Sequence, residues 1–133
     1  MIVFDAENEV MGRVASVVAK EALQGNEVSV INCEKAFISG TKDNIVKEFK
    51  EIRALNLNRP EKGPFISKDS EKIMRRKIRA MLPDFRVGRG RDAWKKIRCY
   101  KGIPENMQKE KIIKIKSKIP KRHMTVGELS NFA

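Results

Sequence analysis

Cysteine is nearly absent from this chain: Cys33 and Cys99 are the only two in 133 residues. Two cysteines cannot build a disulfide scaffold, and these two lack the paired spacing of a zinc site. Histidine occurs once, at His123. No cluster of His, Cys, Asp or Glu has metal-ligand spacing, so no metal, no cofactor and no enzymatic activity are expected. Aromatic residues make up 6%, too few for a surface that reads single strands mainly by stacking. Long apolar runs are missing too. The longest, Val14-Ala15-Ser16-Val17-Val18-Ala19, is far short of the roughly 20 residues a membrane span needs. The opening Met1-Ile2-Val3-Phe4-Asp5 has no basic region before an apolar stretch, which excludes a recognisable signal peptide. The expected compartment is the cytoplasm, with no membrane partner. Hydrophobic residues at 41% suffice for one core, and the length suits one domain.

What is abundant is positive charge. There are 29 Lys plus Arg against 17 Asp plus Glu, a net of +12 and a pI near 10.0. The excess is uneven. Residues 1–58 carry 7 basic and 9 acidic groups, a net of −2, while residues 59–133 carry 22 and 8, a net of +14. Such asymmetry points to a polyanionic partner engaged mainly by the second part.

The hydrophobic pattern sets the frame. Ile2-Val3-Phe4 is a short β-branched and aromatic run, predicted as a buried strand. Met11, Val14, Ala15, Val18 and Ala22 form the stripe of a core-facing helix, with Gly25 where a C-terminal cap belongs. Val28-Ser29-Val30-Ile31-Asn32 predicts a central strand, which Phe37 and Ile38 extend or follow before Ser39-Gly40 breaks it. Ile45, Phe49 and Ile52 mark a second helix, with Thr41 or Asp43 as candidate caps. This β-α-β-α order is that of a parallel sheet with covering helices. Asn58-Arg59-Pro60-Glu61-Lys62-Gly63-Pro64 is a loop.

A third helix follows Ser70. Its Lys72, Arg75, Arg76 and Arg79 share one arc, Ile73, Met74, Ile78, Met81 and Leu82 fill most of the other, and Lys77 must lie at the edge. Pro83 ends it. Arg86-Val87-Gly88-Arg89-Gly90-Arg91 reads as a basic, glycine-punctuated loop, Ala93-Trp94-Lys95-Lys96 as a helical turn, and Ile97-Arg98-Cys99-Tyr100 as a strand. Lys109 to Lys118 alternates basic and apolar residues, an extended or weakly helical arm. Thr125-Val126-Gly127-Glu128 has the spacing of a capping box for a short terminal helix. The expected organisation is one α/β domain over 1–104 and a basic arm over 105–133.

The helix face is the strongest functional signal. Four close cations with no acid among them repel one another unless an anion neutralises them. Arg75, Arg76, Arg79, Arg86, Arg89 and Arg91 are candidates to hold phosphates through guanidinium forks, supported by Lys62, Lys68, Lys72, Lys95 and Lys96 as point charges. Gly63, Gly88 and Gly90 would permit close backbone approach. Arg59 from the loop and Lys121 and Arg122 from the tail complete the basic set. Gly88-x-Gly90-x-x-Ala93 fits a loose dinucleotide fingerprint, with Glu110 about 20 residues on, but the residues before it make a poor strand. The phosphate-binding loop G-x-x-x-x-G-K-[ST] does not occur. A pairing of Cys33 or Cys99 with His123 is an alternative to inert thiols. Trp94 and Tyr100 could stack on bases or belong to the core.

Several segments together resemble one family. They are Met11-Gly12-Arg13-Val14-Ala15-Ser16, the run from Val30 to Lys42, Lys62-Gly63-Pro64-Phe65, Ile78-Arg79-Ala80-Met81-Leu82-Pro83, Arg98-Cys99-Tyr100-Lys101-Gly102-Ile103-Pro104 and Met124-Thr125-Val126-Gly127-Glu128-Leu129-Ser130. In order and spacing they look like the universal large-subunit ribosomal protein thirteen family, of the archaeal type. Ala80 stands where that family usually has Gly, and Cys33 where a small residue is common. The resemblance implies a three-layer α/β/α fold with a four-stranded, mainly parallel sheet and a basic C-terminal extension. It implies a structural protein of the large ribosomal subunit that binds large-subunit rRNA, neighbours other ribosomal proteins and supports assembly. The matching positions add Gly12, Arg13, Lys35, Ser39, Gly40 and Lys42 to the expected RNA-binding set. The alternatives are a small nucleotide-binding α/β enzyme, or a general nucleic-acid-coating protein outside the ribosome.

Overall fold

The computed structural model describes residues 2–55, 66–107, 111–116 and 118–132. The first strand, β1 (Ile2–Asp5), leads into α1 (Met11–Leu23), β2 (Val28–Ile31), β3 (Phe37–Ser39) and α2 (Lys42–Ala54). After the undescribed stretch come α3 (Ser70–Ala80), α4 (Gly88–Lys95) and β4 (Ile97–Cys99), then β5 (Ile112–Lys114), β6 (His123–Thr125) and α5 (Val126–Phe132). Strands β4, β2, β1 and β5 form one sheet in that order, and all three pairings are parallel. The α/β class and the four-stranded parallel sheet are therefore as expected.

Every residue of β2 is buried, as a β-branched central strand requires. The α1 stripe also lies where its spacing puts it: Val14, Ala15, Val18, Ala19 and Ala22 are buried. They join Phe4, Val28 and Val30 of the sheet and Ile73, Met74 and Ile78 of α3 in one core. The opposite sheet face holds Val3 and Ile31 against Tyr100. Gly25 ends α1 at φ +96, a left-handed cap that only glycine takes cheaply, and its N–H donates to the Ala22 carbonyl at 3.1 Å.

Two expectations change. Phe37 and Ile38 do not extend β2. Asn32 sits at φ 55 and starts a short 3₁₀ turn, Cys33–Lys35, that takes the chain out of the sheet. The Asn32 side-chain amide donates to Asp5 Oδ1 at 3.1 Å, which ties the turn to the end of β1. Strand β3 then pairs antiparallel with β6 in a second, two-stranded sheet. Nor does the basic C-terminal stretch stand apart as an extension. Ile112–Lys114 is the edge strand beside β1, with Val3 opposite Ile112. Its β-branched residues suit a ladder, and alternating lysines are a common way to keep an edge strand soluble. Further on, α5 buries Val126 and Leu129 in the main core. Half of the expected capping box forms: the Glu128 N–H donates to Thr125 Oγ1 at 3.1 Å, while the Glu128 carboxylate faces Lys42.

Candidate nucleic-acid interface

Helix α3 carries the site because its two sides are chemically distinct. Ile73, Met74 and Ile78 are buried, while Lys72, Arg75 and Arg76 are exposed and Arg79 is half-buried. Lys77 is exposed at the edge of the apolar side, and Met81, expected on the apolar arc, is 40% exposed because the helix has ended at Ala80. Asp69 precedes the helix; its carbonyl accepts the Ile73 N–H at 2.9 Å and its carboxylate lies 3.6 Å from Lys72 Nζ. Both partners of that pair are well exposed, so it is worth little. Among the described residues, Arg75, Arg76 and Arg79 have no acidic partner.

The next segment supplies aromatic rings to this face. Arg75 places its guanidinium carbon 4.2 Å from the centre of the Trp94 ring. Arg79 lies 4.7 Å from the centre of Phe85 and 6.0 Å from Trp94, and Arg86 lies 5.5 Å from Phe85. The two rings meet edge to face with centres 6.5 Å apart. Ring faces attract guanidinium groups without neutralising them. Beside Trp94 opens a cavity of about 280 Å³, lined also by Lys72, Arg75, Arg76, Arg79, Ile66 and Ser67. Among the described residues, four cations and no acid line it. Trp94 is half-buried: one part of the ring packs against the main core and the rest lines the cavity.

The Gly88-to-Arg91 segment is not a loop. It forms the first turn of α4. Gly88 starts it at φ +61. At Gly90 a Cβ would fall 2.3 Å from the Asp84 carbonyl oxygen and 2.6 Å from that of Pro83. Gly90 is thus required by packing of the helix on the preceding turn, and it is buried rather than open to a phosphate. Arg89, Arg91 and Lys95 project from α4 and are exposed, as is Arg86 before it; Lys68 is exposed ahead of α3. The Arg86 N–H donates to Asp84 Oδ1 at 3.0 Å, which shapes the turn. Lys96 is committed elsewhere: its Nζ donates to the Gly25 carbonyl at 3.2 Å, at the C-terminal end of α1.

The remaining expected residues fall into other groups. The Gly40 N–H donates to the Arg122 carbonyl at 2.9 Å, which brings Lys121 and Arg122 to the Ser39-Gly40 turn and Lys42. Lys42 pairs with Glu128 at 3.4 Å, and Lys35 with Glu7 at 3.7 Å. Gly12 and the exposed Arg13 open α1. Arg59, Lys62 and Gly63 lie outside the described residues. Sequence reasoning did not find Phe85 or Ser67. No local period links either to α3, though a phenylalanine directly before Arg86 is a usable cue.

The pairing of Cys33 with His123 resolves geometrically. Cys33 is buried, and its Sγ–H donates to the Val30 carbonyl at 3.7 Å. A hydrogen bond with the Cys99 side chain, with burial second, pushes its thiol far above the ordinary range. The His123 ring instead lies against Phe37, with centres 4.4 Å apart, and its Nδ1 is 2.9 Å from the Pro120 carbonyl. Cys33 is therefore a packed, protonated thiol rather than half of a Cys–His pair.

Comparison with known proteins agrees with this architecture. Residues 1–106 match the family model described as Ribosomal protein L13. The chain is 42% identical to the large ribosomal subunit protein uL13 of Methanopyrus kandleri over 96% of this chain and 83% of that protein. It is 42% identical to the protein of the same name from Methanococcus maripaludis, over 99% and 96% of the two chains. The like-named Thermoplasma acidophilum protein is 36% identical over 98% and 96%. By fold, by motif order and by likeness along nearly its whole length, the chain belongs to the ribosomal protein L13 family.

Proposed function

We propose that this chain is a structural component of the cytoplasmic large ribosomal subunit, and that it holds large-subunit rRNA chiefly by the face built from α3 and α4. The observation that carries the reading is the cavity at Trp94, lined by Lys72, Arg75, Arg76 and Arg79 with no acid among the described residues. Proteins of this family are ribosomal constituents rather than enzymes. Arg75, Arg76, Arg79, Arg86, Arg89 and Arg91 bind phosphates, and Lys68, Lys72 and Lys95 add point charge. The group at Ser39, Gly40, Lys42, Lys121 and Arg122 is a second foothold. Two footholds tied to one packed core, on α3–α4 and at the β3–β6 sheet, fix how separate RNA segments lie relative to each other, which is how a small protein supports assembly. Neighbouring ribosomal proteins complete its surroundings.

Sedimentation tests the reading. The protein should co-migrate with the large subunit and survive a moderate salt wash; a general nucleic-acid coat would wash off. On a large-subunit rRNA fragment, neutralising about six phosphates gives a slope of log affinity against log salt of roughly −4 to −5. A slope near zero, or no co-migration, refutes it.

A further inference from the structure

Phosphate binding leaves one feature of this face unexplained. A phosphate gains nothing from an indole, yet the recess between the cations is floored by Trp94, the sole tryptophan of the chain. Over that ring lies the guanidinium of Arg75, 4.2 Å from its centre, and Arg75 is itself exposed. A guanidinium held close over an indole offers a planar cation, and unpaired bases stack on guanidinium planes as they do on aromatic rings. Arg79, held between Phe85 and Trp94, steadies the layer from the side. Lys72 and Arg76 remain on the same cavity to take the flanking phosphates. At about 280 Å³ the recess is near the small end of the range for ligand pockets, larger than a bare ion needs.

Resting on the rRNA reading above, we infer that this cavity receives a single unpaired nucleotide of the RNA, its base stacked as a third layer on Arg75 and Trp94. The face then does more than neutralise backbone. It selects a place where a base has left the helix, because a paired base inside a duplex cannot reach the layer.

Three RNA hairpins of one sequence test this: one with a single bulged adenosine, one fully paired, and one with an abasic site at the bulge. Trp94 reports directly, since no other tryptophan contributes to the fluorescence. The bulged hairpin should quench Trp94 and bind about 5- to 150-fold tighter than the abasic one, the span of one base stack. Arg75→Lys keeps the charge and loses the plane, so the ratio of bulged to abasic affinity should fall towards one while the salt slope stays. Equal binding of bulged and abasic hairpins with a normal salt slope would overturn the inference and leave the rRNA reading standing. Loss of salt-dependent binding to all three would remove both.

Discussion

Gly90 packs directly on the backbone of Asp84: a methyl group at its Cα would sit 2.3 Å from the Asp84 carbonyl oxygen. The obstacle is main chain, so no rotamer change relieves it. Gly90→Ala should therefore destabilise the protein by about 1–3 kcal/mol or more, the usual range for overpacking. Urea unfolding of the variant measures this directly. Because α4 carries Trp94, Arg89 and Arg91, the same variant should bind RNA less tightly even where it remains folded.

Arg76 and Lys96 make a matched pair for separating phosphate contacts from structural lysines. Arg76 is exposed on the cavity with no acid partner among the described residues, whereas the Lys96 ammonium is spent on the Gly25 carbonyl. Arg76→Ala should reduce the magnitude of the salt slope by about one. Lys96→Ala should leave the slope unaltered. A salt titration of binding to one rRNA fragment reads both.

Cys33 links stability to alkaline pH. Its thiol is held well above its ordinary range in the folded chain by Cys99 and by burial, so the folded state keeps the proton while the unfolded state releases it near pH 8.5. Above that pH the unfolded state binds fewer protons, and stability falls. One group of this kind contributes a fall of about 1.4 kcal/mol per pH unit. Comparing Cys33→Ala with the parent between pH 8.5 and 10 should show the fall removed in the variant.

Thr125 caps a helix of only seven residues, α5, whose Leu129 and Val126 reach the main core. Thr125→Ala leaves the Glu128 N–H without its acceptor and should cost about 0.5–2 kcal/mol in unfolding free energy. Thr125→Ser keeps the hydroxyl and should recover most of it.

How legible this was depended on the range of the interaction. The α1 stripe, the β2 run, the Gly25 cap and the Thr125 cap depend on residues within one or two turns of each other, and each is readable from spacing. The one-sided charge of α3 is readable for the same reason. The Gly88–Arg91 segment reads as a loop because glycines favour loops locally, while a contact with Asp84 decides for a helix. Strand β5 was read only as an extended or helical arm, because its partner β1 lies at the other end of the chain. The meeting of Arg75 with Trp94 joins two separate helices, and no period in the sequence connects them. Likewise Lys96 looks like its neighbour Lys95 until the fold brings Gly25 beside it.

The register that sets Val3 opposite Ile112 also has a temporal side. A chain made from its N-terminus produces β1 first and needs nearly all its length before the strand that fills that outer edge exists. During synthesis β1 can gain β2 early, but its other row of amides and carbonyls stays open until Ile112–Lys114, with lysines on either side, emerges. Pairings so distant in sequence form slowly, and an open strand edge is where chains stick to one another. The positive charge around β5 thus arrives with the strand that covers β1 and becomes the new edge of the sheet, where lysines discourage further pairing.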